Sequence, residues 1–216
     1  MISLKLSILA GKQLEVLCIG AHSDDIEIGC GGTILRLMNE YPEARVHWIV
    51  FSAIGIRKTE AKHGAVAFAG KTRLKKLMLR SFRDGFMPFN GTEIKDVFES
   101  LKTISPDLIF THNRKDAHQD HRLIAECTWN TFRNHMIFEY EIPKYDGDLG
   151  QPNFFVAIKD EIRTKKNRII MDVFRSQRTK HWFCETTFSA LMRIRGMECG
   201  APEGYAEAFY CRKSVY

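Results

Sequence analysis

Two short stretches concentrate the residues that could do chemistry. The first, AHSDDIEIGCGG (21–32), holds His22, Asp24 and Asp25. The second, THNRKDAHQDH (111–121), holds His112, Asp116, His118, Asp120 and His121. Together they carry four of the chain's eight histidines. Imidazole and carboxylate are the donor types of a catalytic zinc, which usually keeps three protein ligands and one open position. His22 and Asp25 stand three residues apart on one tight turn and can reach a single ion. His118 and His121 have the same spacing and share a face if a helix begins near Gln119. Any one of these residues alone is better explained by a loop hydrogen bond; it is the two clusters at adjacent strand ends that point to a metal. Gly29, Gly31 and Gly32 fit neither the G-x-G-x-x-G fingerprint nor a P-loop, which argues against a dinucleotide site. They read as a loop turning tightly beneath the site, with a helix starting at residue 33.

The elements that must position these clusters alternate between short apolar runs and amphipathic stretches. That pattern predicts βαβ units around a parallel sheet. Strands are expected over 14–20, 45–52, 74–81, 107–112 and 135–142. Helices are expected over 33–41, 57–70, 92–104 and about 119–133. A Pro, Gly and Asp-rich loop spans 143–154. An extended FFVAI follows it, then a long basic helix near 160–180, and the tail GYAEAFYCRK reads as an edge strand. Each cluster directly follows a strand, and open parallel sheets bind ligands beyond the carboxyl ends of their strands. The fold class expected is therefore α/β: a Rossmann-like, doubly wound, mostly parallel sheet flanked by helices. One domain spans 1–216, with a metal-binding core over about 14–142 and a C-terminal helix and edge strand over about 153–211.

Composition agrees with one packed domain. The 216 residues are 44% hydrophobic and 11% aromatic, enough for a sizeable core and unlike a disordered or fibrous chain. No run approaches the roughly 20 continuous apolar residues of a membrane span. The opening 1–20 has only a short apolar patch at 7–11 and reads as no signal peptide, which points to the cytoplasm. Six scattered cysteines form no C-x-x-C pair and read as idle thiols. The net charge of +6 is concentrated in 71–83 and 159–181. Such patches could attract an anionic substrate, nucleic acid or a membrane surface, or be solvated faces. No nucleic-acid-binding signature accompanies them, so a nucleic-acid partner is not expected.

The motifs resemble those of the PIG-L/LmbE-like deacetylases, zinc enzymes acting on N-acetylated amino sugars. The family's A-H-P-D-D and following glycines match Ala21-His22-Ser23-Asp24-Asp25 and Gly31-Gly32. Its H-x-x-x-D-x-H-x-D-H matches His112 through His121 at every named position. R-x-x-E-A matches Arg57 to Ala61, and A-E-A-F matches Ala206 to Phe209. Ser23 stands where the family has proline, which leaves the turn less rigidly fixed at φ.

The resemblance implies one Zn²⁺ per chain, or another divalent transition metal, held by His22, Asp25 and His121. It implies Asp24 as general base, with orientation of a ligand as the alternative role, and His118 as the second proton handler. Asp120 is expected to bond the other ring nitrogen of His118 and favour its charged form. Asp116 and His112 are expected to support the loop from behind. Arg57, Asn113 and Arg114 are the expected substrate contacts, a surface cap being the alternative for Arg57. Glu27 and His47 are read as structural. The substrate implied is an N-acetylated amino sugar of the N-acetylglucosamine type; free conjugates, nucleotide-linked and lipid-linked sugars and antibiotic pseudo-disaccharides all stay open, and a homo-oligomer is compatible with the sequence. A metal-dependent phosphoesterase and a non-catalytic carbohydrate- or nucleic-acid-binding module are the competing readings.

Overall fold

Strand β1 (Glu15–His22) shows how the sheet organises the molecule. Its alternate residues Val16 and Cys18 enter one apolar core, while Leu17, Ile19 and Ala21 enter another on the opposite face. Residues buried on both faces are what a central parallel strand requires. The structure, a computed structural model, describes residues 12–214. The apolar patch at 7–11, and most of the reading made of the opening segment, lie outside the described residues.

The chain continues as α1 (Asp25–Glu40), β2 (Arg45–Ser52), α2 (Ile56–Ala69) and β3 (Leu74–Leu79). A 3₁₀ turn at Met87–Asn90 leads into α3 (Gly91–Leu101), β4 (Leu108–His112), α4 (Gln119–Thr131) and β5 (Met136–Tyr140). The last elements are β6 (Phe154–Ile158), α5 (Asp160–Val173), α6 (Glu185–Cys199) and β7 (Tyr205–Cys211). The seven strands lie in the order β3-β2-β1-β4-β5-β7-β6. The pairs from β3 through β5 are parallel, and β7 runs antiparallel to both β5 and β6. Helices cover both faces: α1, α2, α5 and α6 pack on one core, α3 and α4 on the other. This is the mostly parallel, doubly wound α/β sheet that the alternation predicts. β1 and β4 are neighbours whose chains leave toward different partners, so a crevice opens where both functional clusters begin.

Several expectations change. The helix expected at 33 already starts at Asp25, and the glycines belong to it. A break at Cys30 (φ −142°, ψ 15°) divides it into two pieces. Glu207 caps the second piece, accepting from the amides of Gly32 (2.8 Å) and Thr33 (2.6 Å). Lys166 bonds the carbonyl of Ile28 in the first piece and Glu207 itself, each at 2.7 Å. The glycines provide close approach rather than a loop. A Cβ on Gly29 would lie 2.3 Å from the Tyr140 ring, and one on Gly31 would lie 2.5 Å from that of Phe68.

The basic helix near 160–180 ends at Val173, because Phe174 and Phe183 both turn into the core and the chain folds back between them. A further helix, α6, follows in a region where no helix is expected. The tail strand β7 is interior to the sheet, and β6 forms that edge. The apparent polarity of β7 comes from Glu207, which is buried against Lys166. The six cysteines are unpaired thiols, as expected.

Candidate active site

β1 delivers His22 at its last residue, and the chain turns through Ser23 and Asp24 into α1, where Asp25 is the first residue. Ser23 is fully buried and donates its hydroxyl to the carbonyl of Ser52 (3.2 Å), a bond that helps to hold the turn. The amide of His22 donates to Oδ2 of Asp25 at 2.6 Å. From the second cluster, β4 ends at His112, and a loop hydrogen-bonded through Asp116 leads to His118 at the start of α4. His121 lies within the first turn of that helix.

These elements bring three donor atoms together. Nδ1 of His22 lies 3.1 Å from Nε2 of His121 and 3.4 Å from Oδ2 of Asp25, and the last two atoms are 3.6 Å apart. A tetrahedral ion with bonds of about 2.0–2.2 Å separates its ligand atoms by roughly 3.3–3.6 Å. The triangle therefore fits a zinc-sized ion, and all three residues are buried. Other groupings overlap it: His22 with His118 and His121, Asp25 with His112 and His121, and His22 with Asp84, His118 and Asp120.

The surrounding groups orient the donors. Asp116 lies 3.0 Å from Nδ1 of His121, turning its Nε2 toward the triangle, and Lys144 bonds the same carboxylate oxygen. A carboxylate behind a histidine in this way fixes its tautomer and ring direction. His112, fully buried, accepts from the Ala21 amide at Nε2 (2.9 Å) and lies 3.1 Å from Asp25. Asp116 thus backs His121, while His112 touches Asp25 and belongs to one of the alternative donor groupings.

The charge states of these buried groups are set by one another. Burial works against a charged His22, yet Asp25, Asp120 and Asp84 outweigh it and raise its pKa well above the ordinary histidine value. Burial likewise opposes ionised Asp25, but His121, His112 and His22 hold it well below the usual carboxylate range. Burial pushes His112 down to about 4, so it stays neutral.

Asp24 is buried beside the triangle, and Nη2 of Arg57 donates to its Oδ1 at 2.7 Å. Burial raises its pKa despite the arginine. Arg57, expected at the substrate, is thus engaged with Asp24, and its Nη1 lies 3.7 Å from Asp84. Asn113 accepts from the Lys115 amide through its side chain and so shapes its own turn. The Arg114 side chain is exposed.

The expected pairing of Asp120 with the His118 ring does not form. The Asp120 carboxylate accepts from the amides of Gly85 (2.7 Å) and Met87 (3.1 Å) and lies 3.3 Å from Nε2 of His22. His118 caps α4 instead, its Nδ1 accepting from the Asp120 amide (3.2 Å). Burial, with His121 and His22 nearby, lowers the pKa of His118 rather than raising it. With Nδ1 accepting, the free ring position is Nε2–H.

The sequence reasoning missed Asp84. Its Oδ1 lies 3.0 Å from Nε2 of His22, and the hydrogen bond from that ring lowers its pKa to about 2. The available signal was its position in Arg83-Asp84-Gly85, just past the carboxyl end of β3.

The fold is a doubly wound α/β sheet, and the His/Asp cluster at its carboxyl edge has donors that could hold a metal ion. Residues 17–132 match the PIG-L family, described as GlcNAc-PI de-N-acetylase, and the chain belongs to that family. It is 25% identical over 171 residues to the uncharacterized deacetylase YaiS of Escherichia coli K12, covering 73% of this chain and 89% of that protein. The N,N′-diacetylchitobiose deacetylase of Pyrococcus horikoshii has a similar structure (TM-score 0.72, 22% identity, 95% of this chain and 86% of that one). So does GalB of Pseudomonas putida KT2440, a 4-carboxy-2-hydroxymuconate hydratase (TM-score 0.73, 14% identity, 94% and 98%). At these identities the structural likenesses establish the fold, and a fold can host several chemistries.

Proposed function

We propose that the protein is a zinc-dependent N-deacetylase that hydrolyses the acetamide of an N-acetylglucosamine-type sugar, nucleotide- or lipid-linked, and releases acetate. The observation that carries this reading is the triangle of His22 Nδ1, Asp25 Oδ2 and His121 Nε2 with a buried, arginine-held carboxylate beside it. Family membership and the deacetylases among its relatives support it.

His22, Asp25 and His121 would hold a zinc-class ion, which when bound would supply Lewis acidity for the acetyl carbonyl and for a water. Asp24 does the proton work. Arg57 occupies Oδ1, which leaves Oδ2 to accept a proton from the attacking water. Its raised pKa makes it a stronger base than an exposed aspartate. The water oxygen bonds to the amide carbon while Nε2–H of His118 donates to the developing oxyanion. The carbon–nitrogen bond then breaks, the nitrogen takes the proton held by Asp24, and the remaining proton of the new carboxylic acid passes to the amine, leaving acetate and an ammonium group. Asp120 positions His22 and the 85–87 loop. Arg57 and Asp84 line the solvent side, where sugar hydroxyls would meet them; Asn113 and Arg114 serve the loop around the second cluster. The core at about 14–142 and the part at about 153–211 work as one unit, joined by Lys166 and Glu207.

The deciding experiment measures acetate release from a panel of N-acetylated sugars alongside phosphate release from a generic phosphoester. Acetate release that chelation abolishes and zinc restores is expected. Phosphate release alone would overturn the reading in favour of a phosphoesterase, and neither product would favour a binding module.

A further inference from the structure

Eight large hydrophobic side chains stand exposed among the described residues, and six of them lie at the carboxyl edge of the sheet, in its loops, in the 3₁₀ turn or at the start of α2. Ile54 and Ile56 follow β2, Phe86 and Phe89 follow β3, and Tyr145 and Leu149 follow β5. Single exposed apolar residues are ordinary, but a concentration around a cleft marks an interaction site. The loops after β2 and β3 form one lip. The Ala53 amide donates to the Arg80 carbonyl (2.8 Å), and Arg57 reaches toward Asp84, which touches His22. Phe89 is 83% exposed and Ile56 64%, so the apolar tips of this lip point into solvent beside the catalytic mouth.

The same lip is basic. Around it stand Arg57, Lys58, Arg80 and Arg83, with two carboxylates, Glu60 and Asp84. Glu60 is buried and bonded to Ser176, while Asp84 is engaged by His22 and Arg57. Lys58, Arg80 and Arg83 are exposed, and the Arg83 guanidinium lies 3.7 Å above the Phe86 ring. The opposite lip carries Tyr145, Leu149 and the exposed Asp146, and its Tyr145 ring packs on His181 and Trp182, beside Lys180. No helix among the described residues is long and apolar enough to cross a membrane. Aromatic and aliphatic tips interleaved with unpaired cations match what binds in the plane of an anionic lipid interface.

We propose that this lip docks the protein onto an anionic bilayer. Ile54, Ile56, Phe86 and Phe89 enter the headgroup boundary, while Lys58, Arg80 and Arg83 meet lipid phosphates. The mouth of the cleft then faces the membrane surface.

The test is co-sedimentation of the full chain with vesicles of phosphatidylcholine and phosphatidylglycerol in equal parts, compared with phosphatidylcholine alone. Binding to the anionic vesicles at low salt is expected, with weak binding to the neutral ones and loss of binding as salt rises. The pair Phe86→Ser/Phe89→Ser should lower partitioning roughly tenfold or more. Arg80→Glu/Arg83→Glu should lower it by a similar factor. Circular dichroism and melting serve as folding controls, and activity on a water-soluble N-acetyl sugar should be unchanged. No pelleting of the wild type with anionic vesicles, or folded variants that pellet like it, would overturn the proposal. So would self-association that the phenylalanine variants abolish in the absence of vesicle binding. Vesicle binding is read without turnover, so a protein that deacetylates no sugar but pellets as expected would lose the deacetylase reading and keep this one.

Discussion

Oδ2 of Asp116 lies 3.0 Å from Nδ1 of His121, and this contact aims the opposite nitrogen of the ring at Nδ1 of His22, 3.1 Å away. The two residues are five apart in the chain, one in the loop and one in the helix that follows. Their pairing turns the ring in the direction that would let the two clusters share an ion. Asp116→Asn should therefore weaken metal affinity by roughly 10–100-fold, whereas His121→Ala should abolish stoichiometric metal altogether. Metal content after dialysis against a graded chelator checks both. Full occupancy in the His121 variant would remove it from the ligand set.

Asp24→Asn should keep the metal and lose about 10²–10⁴ in turnover, because the carboxylate is held by Arg57 and only its proton acceptance is removed. Metal analysis and acetate release on the same sample separate this from ligand loss. Equal loss of both would place Asp24 on the ion.

His118→Ala should retain metal and reduce kcat by about 10²–10³, the usual effect of losing one oxyanion donor. The helix cap lost with Nδ1 makes a melting control necessary, since capping is worth about 0.5–2 kcal/mol. A variant with full kcat would exclude the donor role.

Glu207→Ala should destabilise the protein by about 3–5 kcal/mol, leaving Lys166 buried without its carboxylate and the break in α1 uncapped. Denaturant unfolding measures the loss. In the double variant Lys166→Met/Glu207→Gln, part of it should return, because no unpaired charge remains buried.

Glu27 is fully buried on α1, and its two carboxylate oxygens have no hydrogen-bond partner among the described residues. Burial raises its pKa well above the ordinary 4.5. The folded state then holds a proton that the unfolded chain releases, so this group makes stability fall as pH rises above about 4.5. The slope it contributes is at most about 1.4 kcal/mol per pH unit. Glu27→Gln should flatten that decline, with its largest relative gain in melting temperature at the alkaline end. Parallel pH profiles for the two proteins would show that Glu27 carries no such burden.

By itself the sequence determined the strands of the sheet's parallel half, the two clusters beyond their ends, and the four positions His22, Asp24, Asp25 and His121 that converge there. These were legible because strand burial is written in local apolar runs and because ligand spacing within each cluster is short. Only the tertiary structure decided that Asp84 joins His22 from a third loop and that Asp120 supports the 85–87 loop instead of His118. It also decided that Arg57 is spent on Asp24. The break in α1 and the interior place of β7 were hidden for one physical reason. Glu207 reads as a surface carboxylate until Lys166, forty-one residues away in the chain, is brought 2.7 Å from it. Pairings between distant residues cost loop entropy that only the assembled core offsets, and no local pattern records them.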